Sequence, residues 1–443
     1  MLNKLSAVTQ KFSPNLRQII GNMAWLFAEK IVQMGLGLAV GVWITRYLGP
    51  EQFGRFNYAL AIVGLFIPFA KLGLDNIVIR NLARDPSCKD ATLGTAFVLK
   101  LISSIVTLVV TVGVIFLITP NTTPANQEIR WLVGIVAAGT TIQSFDIIDY
   151  WFQSQVKAKY SVWARNGAYV VMNGVKIILI QMKAPLIAFA IAMVAEYAVC
   201  ALAMVIIYQF NGNIIKAWKF SFRYAKLLVK DSWPLIFAGI VVMIYMRIDQ
   251  VMLGQMIGDK SVGIYSAAVK ISELWYFVPG AIVNSVFPSI VQAKEIGEEI
   301  YYKRVQKLFN IMSVLAYCVA IPVTFFSTSI VTLLYGKNYA EAGPILTIHI
   351  WTGLFVSLGV ARETWLTTEG LMKFTAATTA VGAVVNIVLN YFLIGRYGGL
   401  GAAFATVIAQ FLASYGAGAF YPQTRKIFLH QTKAITLFGL SGR

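Results

Sequence analysis

Fifteen ionisable side chains fall inside stretches of this sequence that are otherwise apolar enough to cross a bilayer. The bases are Lys30, Lys71, Lys100, Lys176, Arg247, Lys270 and Arg362. The acids are Glu29, Asp75, Asp146, Asp149, Glu196, Asp249, Glu273 and Glu363. In hydrocarbon each costs roughly 3 kcal/mol unless it faces a hydrated cavity or a partner. Such a density implies a hydrated central cavity, whose bases can hold an anionic group such as phosphate. Lys100, Asp75 and Asp149 lie near span ends and read as structural ion pairs or interfacial groups. The candidate substrate bases are Arg247, Lys270, Lys30, Lys71, Lys176 and Arg362. Arg247 and Lys270 come first because they share a depth, about 13 Å from the outer end of span seven at helical rise. Asp249 and Glu273 are placed to pair with them. Arg247 and Asp249 are two residues apart, on nearly opposite sides of a helix, so only one can point straight into a cavity. A guanidinium holds phosphate in a bidentate fork, which favours Arg247. The candidate ion-pair acids are Glu29, Asp146, Glu196, Asp249 and Glu273. Asn22, Glu29 and Gln33 share one helical face, as do Asn386 and Asn390; these polar residues either line a cavity or bind neighbouring helices.

The elements that must position these groups are membrane helices. Hydrophobic residues make up 58% of the 443 and charged residues 13%, about half the charge of a soluble domain. The apolar residues come in runs of about twenty, the length of a spanning helix. Twelve spans are expected: 19–45, 56–78, 93–118, 131–152, 165–182, 185–208, 232–256, 263–287, 307–327, 344–368, 373–394 and 400–420. Short alternating strands of a membrane barrel are missing from the pattern. Lys4 and Lys11 precede no short apolar region with a small-residue cleavage site, so no signal peptide is expected. Net charge is +18. With the N-terminus cytoplasmic, 23 Lys and Arg fall in inner segments, 7 in outer loops and 7 within spans. That asymmetry places both termini inside and explains the charge as topology and lipid contact, not nucleic-acid binding. Cys88, Cys200, Cys318, His349 and His430 are isolated, so neither a disulfide framework, a metal site nor a cofactor is expected.

The chain also repeats itself. Leu48-Gly49-Pro50-Glu51-Gln52-Phe53-Gly54-Arg55-Phe56-Asn57-Tyr58-Ala59 returns as Ile257-Gly258-Asp259-Lys260-Ser261-Val262-Gly263-Ile264-Tyr265-Ser266-Ala267-Ala268, 209 residues later. Asp149-Tyr150-Trp151-Phe152 parallels Glu363-Thr364-Trp365-Leu366, and Asn173 parallels Asn386, at nearly the same offset. Two halves of six spans each follow, related by an axis along the membrane normal. The expected division is a cytoplasmic amphipathic N-terminus (1–18), an N-terminal half (19–210), a basic connector (211–231), a C-terminal half (232–422) and a cytoplasmic tail (423–443). Pro68, Pro279, Pro288 and Pro322 mark expected kinks. The polar stretch 290–307 reads as a short surface helix.

These motifs resemble a known family. Asn22-x-x-Trp25-Leu26 is followed by Arg46-Tyr47-Leu48-Gly49-Pro50-Glu51-x-Phe53-Gly54, Leu72-Gly73-Leu74-Asp75 and Ile79-Arg80; Arg247-x-Asp249-Gln250-x-x-Leu253-Gly254 precedes Val262-Gly263-Ile264-Tyr265-x-x-Ala268. The sequence is similar, over essentially its whole length, to the polysaccharide-transport branch (Wzx-type O-antigen repeat-unit flippases) of the multidrug/oligosaccharidyl-lipid/polysaccharide exporter superfamily. The resemblance implies an all-α polytopic membrane protein with twelve transmembrane helices in two pseudo-symmetric six-helix bundles around a central cavity. It implies transfer of an undecaprenyl-diphosphate-linked oligosaccharide from the cytoplasmic to the outer leaflet of a bacterial inner membrane, coupled to H+ or Na+ exchange at a carboxylate for which Glu29, Asp146, Glu196, Asp249 and Glu273 all qualify; a monomer already contains the two halves that alternating access needs. It further implies membrane lipids, a polysaccharide polymerase and a chain-length regulator as partners, and no enzyme activity. Two rivals stand beside it. A cation or drug antiporter of the same fold would have an acid-lined aromatic cavity, whereas here bases and acids nearly balance. A membrane-embedded polymerase or glycosyltransferase would need catalytic loops at the surface, and the outer loops are short.

Overall fold

The computed structural model describes residues 14–120 and 123–437, with side chains from Gly21 onward. Residues 1–13 of the expected N-terminal segment, two residues of the longest outer loop and the last six of the tail lie outside the described residues. All regular structure described is helical. The α-helices are α1 (Pro14–Lys71), α2 (Asp75–Arg84), α3 (Lys89–Ile118), α4 (Pro124–Ile142), α5 (Ile147–Ser154), α6 (Ala158–Gln181), α7 (Leu186–Phe210), α8 (Phe222–Met256), α9 (Asp259–Glu273), α10 (Phe277–Ile296), α11 (Glu298–Tyr335), α12 (Ala342–His349), α13 (Thr352–Thr368), α14 (Met372–Ser414) and α15 (Arg425–Ile435).

The twelve expected spans map onto these helices. Among the described residues nine helical stretches are long and apolar enough to cross a bilayer. Two of them are double: α1 carries the first two spans across a break at Gly49, and α14 carries the last two across a break at Gly398. The twelfth is α6, whose polar start holds Lys159 and Arg165. Side chains such as Val109, Leu117, Phe325 and Leu333 stand exposed on α3 and α11, as lipid-facing apolar residues should. Several spans are interrupted. A 3-10 turn at Gln143–Asp146 separates α4 from α5, another at Leu274–Tyr276 separates α9 from α10, and α12 and α13 meet at Ile350-Trp351. Two expectations change. Residues 290–307 form no separate surface helix: α10 and α11 continue from either side to meet at Gly297. The connector is already helical from Phe222, ten residues before the expected span.

The described chain gathers into two compact units. One comprises the residues up to Tyr47 and Ile62–Ile240; the other comprises Leu48–Ala61 and Val241–Arg443. In the first, Leu74, Leu82, Leu93, Ile147, Phe152 and Tyr208 form a buried core. The connector lies on it: Trp218 donates to Tyr208 Oη at 3.2 Å, and the backbone of Lys219 passes Gly94 so closely that a Cβ there would stand 2.6 Å from the Lys219 nitrogen. In the second, Tyr301, Phe309, Met312, Leu358 and Trp365 form the core, and α15 buries Ile427 and Ala434 against it.

Both copies of the repeat lie in the second unit and pack on each other. Gly49 and Gly258 are their turning points, at φ 68° and 117°, which few residues other than glycine adopt. Five residues on, the two copies touch by backbone. A Cβ at Gly54 would fall 1.8 Å from the Asp259 carbonyl oxygen, and one at Gly263 would fall 1.9 Å from the Pro50 carbonyl oxygen. The contact is therefore reciprocal about a local two-fold, the geometry expected of a duplicated element. Small residues allow such backbone approach in membranes, where packing rather than hydrophobicity holds helices together. Arg55 ties the crossing to Asp259 at 3.0 Å, Tyr58 accepts a hydrogen bond from Gln255, and Phe53 packs edge-on to Tyr339.

Either Gly54→Ala or Gly263→Ala should destabilise the fold by at least about 2 kcal/mol, since the obstacle is backbone and not a movable side chain. Thermal unfolding in detergent measures this. Gly134→Ala, with open space around its Cα, should change the midpoint little.

Candidate functional site

The intramembrane charges divide into satisfied and unsatisfied groups. In the first unit the satisfied ones centre on Arg165, seven residues into α6. Its Nε and Nη2 donate to the two oxygens of Glu29 at 2.6 and 3.0 Å, and its Nη1 donates to Asp149 at 2.6 Å. Gln33 donates to Glu29 at 3.1 Å and Gln153 to Asp149 at 2.8 Å, extending one polar row across α1, α5 and α6. Asn22 also joins α1 to α6, accepting from the Ala158 amide at 2.6 Å. Lys176 pairs with Glu196 at 2.7 Å. Buried Lys100 donates to Tyr150 Oη at 2.9 Å, and that hydroxyl donates to Asp75. Asp146 closes the 3-10 turn, within the field of Lys100 and Lys71. Lys30 is exposed, turned away from the Glu29 side of α1.

In the second unit Asp249 occupies a closed polar nest. It is 4% exposed. Tyr265 and Thr406 donate to one of its oxygens, each at 2.6 Å, and Asn390 donates to the other at 2.6 Å. Asn390 also donates to fully buried Asn386 at 3.1 Å, and its own Oδ1 has no hydrogen-bond partner. This nest borders a cavity of about 210 Å³ that includes Glu273, Tyr245 and Gln410. The expected pairing of Asp249 with Arg247 or Lys270 is replaced by these neutral donors, because Asp249 faces the α9–α14 side of its helix. Arg362 is also buried: it donates to the Ala413 carbonyl at 2.9 Å and lies over the Phe374 ring, while its Nε and Nη1 have no partner among the described residues.

Arg247 and Lys270 behave differently. Arg247 is half-buried and makes no ion pair or hydrogen bond among the described residues. The Lys270 ammonium lies 4.4 Å from the centre of the Phe53 ring and likewise has no ion-pair partner. The two bases are close enough to repel, and Glu273 shares their field without bridging to either. Two cations at membrane depth, lightly compensated, can accept an anion.

The reading from sequence left Arg165 out because hydropathy placed it at the rim of a span beginning at 165, whereas α6 begins at Ala158. Tyr265 and Thr406 were missed as well. Tyr265 stands at the aromatic position of the repeat, but only the fold brings it to Asp249.

Removing Arg165 alone, as Arg165→Met, should cost about 3 kcal/mol by leaving two nearly buried carboxylates unpaired. Adding Glu29→Gln and Asp149→Asn should restore most of that loss. Unfolding midpoints of the single and triple variants check both expectations.

The family profile described as polysaccharide biosynthesis protein matches residues 19–294, and the MatE profile matches 234–392. The capsular polysaccharide biosynthesis protein CapF of Staphylococcus aureus is 21% identical over 91% of this chain and 99% of its own length. A Shigella flexneri protein named as an O-antigen transporter is 24% identical over 89% and 95%. The solved structure of the lipid II flippase MurJ, in an inward closed conformation, superposes with a TM-score of 0.67 at 14% identity, over 96% of this chain and 93% of that one. The polysaccharide profile covers more than half of the sequence, including the repeat, the Arg165 row and both unpaired bases; the chain belongs to the polysaccharide biosynthesis protein family.

Proposed function

We propose that the protein is a flippase, moving polyprenyl-diphosphate-linked oligosaccharides for a surface polysaccharide such as O-antigen from the cytoplasmic to the outer leaflet. The observation that carries this reading is the pair Arg247 and Lys270, two intramembrane cations with no salt bridge among the described residues. A diphosphate headgroup supplies the missing negative charge, and Arg247 offers it a planar fork. The names of the relatives, a capsular polysaccharide protein and an O-antigen transporter, agree with that substrate class. The inner-to-outer direction and the cytoplasmic placement of both termini rest on the 23-to-7 asymmetry of basic residues. The same reading makes the protein a monomeric transporter of the bacterial inner membrane, without catalytic chemistry, working beside a polymerase and a chain-length regulator.

Coupling is assigned to Asp249. Its carboxylate lies beside the Thr406 hydroxyl and Asn390, whose Oδ1 has no hydrogen-bond partner among the described residues; hard oxygens of this kind suit a small monovalent cation or a proton. Glu29 and Glu196 are committed to Arg165 and Lys176 and would have to break ion pairs to titrate. Filling or emptying the Asp249 nest changes how tightly α8, α9 and α14 hold together, and that is the lever a gradient can act on.

In liposomes carrying a fluorescent undecaprenyl-diphosphate oligosaccharide in one leaflet, Arg247→Ala and Lys270→Ala should each slow transfer about tenfold, the effect of losing one charge-assisted contact. Asp249→Asn should retain slow transfer but lose its acceleration by a Na+ or H+ gradient. Parental rates in both base variants would move the anion site elsewhere.

A further inference from the structure

A basic concavity lies in the first unit, at the turn leading into α6. Asn22 and Trp25 of α1, with Val156, Lys157, Lys159 and Tyr160 of the turn and the first residues of α6, enclose a cavity of about 310 Å³. Both lysines are exposed and neither makes an ion pair among the described residues; the Lys159 ammonium lies 4.8 Å from the centre of the Tyr160 ring. Among the described residues no acid lines the cavity. The turn is built at a cost. Val156 has φ 55°, a left-handed conformation that a β-branched side chain rarely adopts. Such strain persists only where the surroundings impose it, and it gathers at functional positions. Here the backbone bond from the Lys157 amide to the Phe152 carbonyl at 2.8 Å holds the turn, and Asn22 clamps the next amide from α1. The first amide of α6 is thereby occupied, so the cavity's positive charge comes from the lysines and not from the helix end. Trp25 and Trp163, with ring centres 6.1 Å apart, supply the aromatic edge that side chains at the level of lipid headgroups commonly form.

We propose that this cavity docks the phosphate-bearing head of a membrane lipid, and that its occupant is the polyprenyl diphosphate carrier awaiting translocation. The assignment of the occupant rests on the flippase reading. Two lysines lining one cavity answer a diphosphate better than a single phosphodiester, because both charges can engage one head. The cavity is distinct from the Arg247–Lys270 pair, and it would capture substrate before those bases receive it.

The test uses the purified full-length protein and native mass spectrometry with three probes: undecaprenyl diphosphate, phosphatidylglycerol and inorganic pyrophosphate. Lys157→Gln/Lys159→Gln is compared with Lys219→Gln, a basic residue outside the cavity, and unfolding midpoints are recorded for each. The expected result is a tenfold or greater loss of undecaprenyl diphosphate affinity in the double variant, under twofold loss for phosphatidylglycerol, and no effect in Lys219→Gln. Equal losses for both lipids support the phosphate-head site but assign it to bulk phospholipid. Loss of pyrophosphate binding without loss of either lipid assigns it to free anions and overturns the lipid proposal. Unchanged binding of all three probes in the folded double variant overturns the site. Transfer by the parent protein, measured in parallel, separates the two readings: transfer by the parent with docking unaltered in the double variant removes this site alone, whereas no transfer by the parent with docking weakened in the double variant removes the flippase reading alone.

Discussion

Where Gly54 and Gly263 pass each other, each backbone occupies the space in which the other would have placed a side chain. That reciprocal contact explains why the sequence repeats. The first glycine of each copy turns the chain, and the second lets the two copies meet carbonyl to Cα. Two charged groups of the second unit are placed by this crossing. Phe53, buried by it, carries the Lys270 ammonium on its ring, and Tyr265, two residues beyond Gly263, reaches Asp249. One steric constraint therefore sets the positions of both a cation and the carboxylate nest.

Electrostatics does the remaining sorting. A membrane protein must account for every charge it buries, since water is not there to do so. Glu29, Asp149, Glu196 and Lys176 are neutralised by partners within 3 Å, and Lys100 and Asp75 are joined through Tyr150. Asp249 is held by neutral donors alone. Arg247 and Lys270 are left without such satisfaction. The two like charges repel each other, and an anionic substrate would relieve that repulsion. A cation entering beside Asp249 would act on α8 and α9, the helices that carry the two bases, from a different point. On the proposed reading, anion and cation would take separate sites in one unit, coupled through packing rather than direct contact.

Much of this was legible in the sequence because the bilayer imposes simple rules. Runs of about twenty apolar residues gave the spans, and the offset of 209 between Gly49 and Gly258 gave the duplication. That the two copies pack on each other was not legible, since a repeat states similarity and not contact. The interruptions at Gln143–Asp146 and Leu274–Tyr276 were hidden because an apolar run looks alike whether it is α or 3-10 helix. Arg165 was missed for a related reason: hydropathy trims the polar start of a helix, and Arg165 lies in that trimmed turn. Asp249 could be named as a candidate, but its donors come from α9 and from both parts of α14, far apart in the chain. Arg247 was favoured by chemistry, and its lack of a partner emerges only from the fold.

The central claim is that the unpaired bases serve a lipid diphosphate and not a drug cation. The most direct measurement is a competition in proteoliposomes offered both an undecaprenyl-diphosphate oligosaccharide and a lipophilic cationic dye, with leaflet exchange of the first and accumulation of the second followed together. The account predicts protein-dependent exchange of the lipid-linked oligosaccharide and no dye transport above empty liposomes. Dye transport driven by an ion gradient, without lipid exchange, would contradict it and make the protein an antiporter of the same fold.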